Sequence, residues 1–168
     1  EGTVSETKEY DYALTVDKVF PLKAADEVNN ISSWYYVQMH ANPTVTAYIE
    51  DANGVNVAWN NKSVEDEADI DSHLWGFVGD IWKGLKVVNK ATKRAIVSTS
   101  GNAILGDAAN ATAFIPAVSN GNINNGWFCL KYPESNYLNA QGDQSKGEGK
   151  VGSYDDADNG SYFFITEA

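Results

Sequence analysis

Apolar and aromatic residues recur along this chain in one fixed order, three times over. Each copy opens on an apolar strand, passes a polar turn and an apolar pair, crosses an Asn- or Gly-rich stretch, and closes on an aromatic. Copy one opens at Trp34-Tyr35-Tyr36-Val37 and closes at His73-Leu74-Trp75-Gly76-Phe77. Copy two opens at Trp82 with Leu85-Lys86-Val87-Val88 and closes at Thr112-Ala113-Phe114-Ile115. Copy three opens at Trp127-Phe128-Cys129-Leu130 and closes at Ser161-Tyr162-Phe163-Phe164-Ile165. A period of roughly 40–50 residues marks one supersecondary unit used repeatedly, because no such unit can bury its apolar face alone. Three all-strand units predict a closed threefold barrel.

The copies agree inside as well as at their ends. Val88 to Ile96, Lys131 to Leu138 and Met39 to Ile49 each read as strand, turn, strand. Their turn positions fall on Asn, Pro, Ser and Thr, which bond their own backbone or preset φ. A third strand follows in each copy, at Val55–Trp59, Ala103–Leu105 and Lys150–Tyr154. From Ile31 onward no segment keeps a helical period over three turns. Ahead of the copies, residues 1–9 are polar and Tyr10 to Val16 alternates as a strand, broken at Phe20-Pro21-Leu22. Lys23 to Val28 reads as a short helical turn stopped by Asn29-Asn30. The organisation expected is an arm over 1–30 with one strand and a body over 31–168, its copies at about 31–80, 81–122 and 123–168. An acidic insertion in copy one, Ser63 to Ile70, reads as a loop on one face.

With 43% apolar and 12% aromatic residues, the 168-residue chain has the material for a core. Its formal charge of −11 argues against nucleic acid or an anionic membrane as partner, since phosphate binding needs clustered Lys and Arg. No apolar run approaches the ~18 residues of a membrane span, so no membrane insertion is expected. Cys129 is the single cysteine and sits in an apolar run, where a thiol behaves as a small buried hydrophobe. The acidic runs Asp155 to Gly160 and Glu65 to Asp71 lack the alternating oxygen ligands and distal Glu of a calcium loop. No metal or other cofactor is expected. With two histidines and no nucleophile elbow, phosphate loop or zinc spacing, no catalysis is expected. The composition, rich in Asn, Gly and aromatics, points to an extracellular setting, and a monomer is expected.

Three strings carry a family resemblance: Tyr137-Leu138-Asn139-Ala140-Gln141-Gly142, Val151-Gly152-Ser153-Tyr154-Asp155 and Ser161-Tyr162-Phe163-Phe164. Together they resemble a repeat of the ricin-type β-trefoil, in which each of three four-stranded copies closes on Gln-x-Trp. Here the closings are His73-Leu74-Trp75, Thr112-Ala113-Phe114 and Ser161-Tyr162-Phe163. The closing aromatic is kept in kind and the Gln is lost in all three.

The resemblance implies an all-β trefoil that binds galactose-like or other sugars in shallow pockets, one per copy. Each pocket uses an acid, an aromatic platform, and an Asn shortly before the closing aromatic. A sugar's apolar face stacks on an aromatic ring, while its hydroxyls take planar side-chain partners. In copy three the resemblance puts Asn139 at the acid position, Tyr154 at the platform, and Asp156 and Asn159 in the loop. In copy one it puts Glu50 or Asp51 at the acid, Trp59 at the platform and Asp71 at the Asn position. Copy two, with Val97-Ser98 and Leu105, has neither acid nor platform and reads as structural. Trp59 and Tyr154 read equally as barrel-facing core residues. Trp34, Trp75, Trp82 and Trp127 read as core, and His73 as filling the lost Gln position and bonding backbone. The expected function is a secreted lectin-like module that takes a glycan. The alternative is a protein-interaction or structural trefoil.

Overall fold

The computed structural model describes residues 22–40, 47–61, 70–98, 100–117, 127–134, 136–142 and 147–168. Copy one forms β1 (Tyr35–Met39), β2 (Ala47–Asp51), β3 (Val57–Asn60) and β4 (Leu74–Asp80). Copy two forms β5 (Gly84–Asn89), β6 (Ala95–Ser98), β7 (Ile104–Gly106) and β8 (Ile115–Ala117). Copy three forms β9 (Cys129–Lys131), β10 (Tyr137–Gln141), β11 (Glu148–Tyr154) and β12 (Phe163–Glu167). All strand pairs are antiparallel, and the helical turns among the described residues are short 3-10 segments. Four strands per copy in threefold repetition make this an all-β trefoil.

The first and fourth strands of each copy form a ring, and the middle hairpins cap one end of it. The ring corrects the expectation of a closed barrel. Ladders join β12 to β1, β1 to β4, β4 to β5 and β8 to β9. The remaining two seams are single bridges, Leu85 with Phe114 and Phe128 with Phe163. Each bridge is a reciprocal pair of backbone hydrogen bonds: 2.7 and 2.9 Å at the first, 3.0 and 2.8 Å at the second. The strands β8 and β9 span three residues each, which leaves no length for a longer ladder there. In the cap, β3 pairs with β11. Val57 N–H donates to Ala103 C=O at 2.9 Å, and Ala103 N–H to Val151 C=O at 2.6 Å. These three equivalent residues meet near the pseudo-threefold axis and are all fully buried.

The period-2 alternation of β1 turns Tyr35, Val37 and Met39 inward and leaves Tyr36 and Gln38 half-buried. The closing aromatics Trp75, Phe114 and Phe163 are completely buried and share one core with residues from every copy. A satellite cluster of Val78, Val88 and Ala95 is covered by Ala25, Val28 and Ile31. Ala25 makes a parallel bridge to Val78, and its N–H donates to Phe77 C=O at 2.8 Å. The segment Lys23 to Val28 is therefore not the expected helical turn. It touches β4 at the single bridge of Ala25, bends at Asp26 and Glu27, and takes up a 3-10 turn only at Val28–Asn30. The strand expected over Tyr10 to Val16 lies outside the described residues, as does most of the acidic insertion.

Candidate functional site

The two candidate platforms take opposite sides of the sheet because their registers differ by one residue. Trp59 stands opposite Ile49 in the β2–β3 hairpin, and Tyr154 stands opposite Tyr137 in the β10–β11 hairpin. The true equivalent of Trp59 is Ser153, opposite Leu138. A one-residue offset moves a side chain to the other face. Trp59 accordingly sinks into the core, 2% exposed, and its indole N–H donates to Gln141 C=O at 2.7 Å. It does not form the exposed platform that copy one needs. Tyr154 is 43% exposed and stands at the end of β11, where the chain leaves the sheet.

After Tyr154 the loop 155–161 is held by polar side chains of its own and of β10. The Asp158 carboxylate Oδ1 accepts from the Asn139 amide at 2.8 Å and from Gly160 N–H at 2.9 Å. The same Asn139 amide nitrogen donates to Ser161 Oγ at 2.9 Å, and Ser161 Oγ donates to Asp156 C=O at 3.2 Å. Tyr162 hydroxyl donates to Ala157 C=O at 3.0 Å. Gly160 lies flat on β10, where a Cβ would meet Asn139 Nδ2 at 2.9 Å and collide with Ala140 C=O. Asn139 is 4% exposed and spends its donors inside the protein. The acid position of copy three is thus a buried anchor for the loop. Asp156 and Asn159 stand exposed on the loop that it anchors.

Copy one repeats this arrangement with different chemistry. Glu50 follows buried Ile49 as Asn139 follows buried Leu138. Glu50 Oε2 lies 3.0 Å from Nε2 of His73, whose ring is fully buried. His73 Nδ1 lies 3.1 Å from Ser72 Oγ. His73 fills the lost Gln position, and its ring nitrogens lie within reach of the Glu50 and Ser72 side chains. In copy two the pair becomes Thr112 Oγ1 donating to Val97 C=O at 3.3 Å. Asp51, 8% exposed, uses Oδ1 to accept from Asn53 N–H at 3.1 Å and Gly54 N–H at 2.5 Å, a hairpin-turn role. Asp71 Oδ1 pairs with Lys90 Nζ at 2.8 Å. Glu50, Asp51, Trp59 and Asp71 therefore do not assemble the expected pocket, since each is engaged within the fold.

Of the other tryptophans, Trp75 is buried with its N–H donating to Ile49 C=O at 3.1 Å. Trp82 is not core. It is 49% exposed at the tip of the β4–β5 turn, where Asp80 Oδ1 accepts its backbone N–H at 2.7 Å. Trp34 is half-buried under Lys93 Nζ, 4.1 Å from the ring centroid. Grooves open on the surface formed by the described residues. One, of about 580 Å³, runs between copies two and three past Thr112, Tyr132 and Asn136. Another, of about 540 Å³, lies under the N-terminal segment beside Lys86, Lys93 and Arg94. Neither is lined by any of the eight expected binding residues. Sequence reasoning missed Asp158 as the hub of the copy-three loop. Its signal was Asp158-Asn159-Gly160-Ser161, an acceptor side chain two residues before a glycine N–H.

Comparison with solved structures places the fold. A Macrolepiota procera ricin B-like lectin in complex with lactose aligns at 10% identity with TM-score 0.63, covering 86% of this chain and 97% of that one. ThreeFoil, a designed 3-fold symmetric protein, aligns at 16% identity with TM-score 0.57, covering 80% and 99%. A GlcNAcα1-4Gal-releasing endo-β-galactosidase from Clostridium perfringens aligns at 9% identity with TM-score 0.56, covering 82% of this chain and 33% of the enzyme. No protein-family model and no curated protein matches the chain. At such identities the likeness shows a shared β-trefoil fold.

Proposed function

We propose that this protein is a secreted, non-catalytic carbohydrate-binding module whose site lies in copy three. The observation that carries this reading is Tyr154, an exposed aromatic beside a loop held rigid from below by Asn139 and Asp158. A large exposed ring on an ordered edge offers a stacking surface at little conformational cost. Asp156 and Asn159 supply exposed polar partners for sugar hydroxyls, and Asn139 acts through the loop. Support comes also from the shared fold with a lectin bound to lactose. A shallow site of one ring and two polar groups binds weakly, between roughly −4 and −8 kcal/mol.

A glycan array followed by calorimetry on the strongest hits tests this reading. Tyr154→Ala should weaken binding about fivefold, the scale of about 1 kcal/mol for one aromatic contact, while leaving the unfolding midpoint nearly unchanged. Folded wild-type protein silent across the array would reject the reading. A second reading, a protein-interaction trefoil, is favoured by Trp82, exposed on a turn remote in sequence from the copy-three loop. Silence of the folded wild type across the array together with loss of a protein partner in Trp82→Ala would favour it.

A further inference from the structure

We propose that the junction between copies two and three is a second ligand site, which takes a neutral saccharide whose hydroxyl stands in for a backbone donor that Pro133 lacks. It is separate from the site beside Tyr154 and shares with that reading only the class of ligand. The copies meet through β4 with β5, β12 with β1 and β8 with β9. The first two junctions close with the same hydrogen bond. Lys90 N–H donates to Leu74 C=O at 2.8 Å, and His40 N–H donates to Tyr162 C=O at 3.0 Å. In each case the acceptor immediately precedes the closing aromatic, Trp75 or Phe163. Carrying the β8–β9 register two residues past Ile115 and Lys131 sets Ala113 opposite Pro133 at the third junction. A proline has no N–H to give. Ala113 C=O, just before the closing Phe114, accepts from no backbone N–H among the described residues.

The groove of about 580 Å³ opens at this junction, and Ala113 and Pro133 both line it. Its volume falls in the usual range for small-molecule sites, about 300–1,000 Å³. A second observation points to a ligand independently. Tyr132, also in the lining, packs edge-on to Phe114 with ring centroids 4.8 Å apart. Its hydroxyl is withdrawn from water and has no hydrogen-bond partner in the chain. Buried hydroxyls in native proteins are nearly always bonded, so this one marks a place completed from outside the chain. The class of ligand follows from what the walls offer. Ala113 C=O only accepts, and Thr112 Oγ1 already donates to Val97 C=O at 3.3 Å, so it too is left to accept. Ser100 and Ser153 in the same lining both donate and accept. An amine would leave those donors unused. An anion would meet Glu134 in a lining that holds no Lys, Arg or His. A sugar hydroxyl donates and accepts from one atom, which suits walls of both kinds. Successive residues of a strand face opposite ways, so Ser153 turns to this groove and Tyr154 away from it.

The test titrates neutral oligosaccharides into the isotope-labelled full chain and follows amide chemical shifts in the wild type, Pro133→Ala, Tyr132→Phe and Tyr154→Ala. Expected are shifts at Ala113, Tyr132 and Asn136 that persist in Tyr154→Ala. Pro133→Ala restores the N–H that the other two junctions use and occupies Ala113 C=O. It should weaken binding at the groove about fivefold, the scale of one hydrogen bond. Tyr132→Phe removes the unpartnered hydroxyl. It should raise the unfolding midpoint of the sugar-free protein while weakening groove binding, a trade that a merely structural tyrosine would not show. Shifts confined to Tyr154 and residues 155–161 overturn this inference and leave the copy-three reading standing. Undiminished groove binding by Pro133→Ala also overturns it, and if that variant does not fold, undiminished binding by Tyr132→Phe does so. Groove shifts in the wild type with none near Tyr154 support it and reject the copy-three reading. Silence of the folded protein toward every sugar overturns both.

Discussion

His73 and Glu50 show how one residue can replace a motif position and change its chemistry. The imidazole is fully buried, 3.0 Å from a carboxylate that is 18% exposed. His73→Leu removes a partner from a carboxylate largely withdrawn from water and should cost about 2–3 kcal/mol. His73→Gln retains an N–H donor of similar reach and should cost about 1 kcal/mol or less. Urea unfolding of the two variants checks the order. If both are equally destabilised, shape and not the contact with Glu50 sets the cost. Cys129 gives a pH prediction. Its thiol is pushed up to about 12, first by burial and then by Asp158, from 9.0 in an open chain. Below 9 both folded and unfolded forms keep the proton, and stability is independent of this group. Between 9 and 12 only the unfolded thiol ionises, so its contribution falls as pH rises. Cys129→Ala should flatten that part of the stability–pH curve. A thiol reagent at pH 8 should label the wild type only after denaturant is added.

At the scale of elements, hairpin register decides which residues a ligand can reach. The β3–β11 contact is closely packed because Gly149 faces Trp59 across the ladder. A Cβ on Gly149 would lie 2.7 Å from Trp59 Cε2 and collide with Gln141 C=O, the acceptor of the indole N–H. Gly149→Ala should therefore cost about 1–3 kcal/mol, the usual range for overpacking. It should also shift tryptophan fluorescence as the Trp59 hydrogen bond is displaced. An unchanged unfolding midpoint would show that the hairpins slide freely and that the cap is looser than described. Residues 22–31 form part of the packed body through Ala25, Val28 and Ile31 over Val78, Val88 and Ala95. Replacing Ile31 with Ala should cost about 1–2 kcal/mol, less than a fully buried isoleucine, as read by thermal unfolding.

The whole molecule is organised around one core. Tyr35, Trp75, Leu85, Phe114, Phe128 and Phe163 belong to one buried cluster drawn from all three copies. No copy holds its apolar face alone, and two of the ring's seams are only bridges. Unfolding should therefore be a single transition, with far-ultraviolet ellipticity and tryptophan fluorescence tracing the same curve. A peptide spanning 81–117 should be unstructured in isolation. Separate transitions for the two probes, or a folded single-copy peptide, would contradict this. Non-local pairing such as β1 with β12 also predicts slow folding, on the order of milliseconds to seconds.

The all-strand, threefold architecture was legible in the sequence because apolar alternation and turn residues are local signals repeated three times. The closing aromatics Trp75, Phe114 and Phe163 were legible for the same reason, and all three are core. The site was legible only in part. Sequence alignment of the copies put Trp59 and Tyr154 at one position, yet their cross-strand partners differ by one residue, and that difference buries one and exposes the other. Nothing local distinguishes the two registers, since both strands alternate equally well. Trp82 escaped for a related reason. An aromatic beside apolar neighbours reads as core until Asp80 fixes the turn that turns it outward. The pairing of Asn139 with Asp158 and Ser161, or of Glu50 with His73, joins residues about twenty apart in the chain. Composition fixed that polar groups would need partners. Only the folded chain decided which partners they found, and so which carboxylates face solvent beside Tyr154.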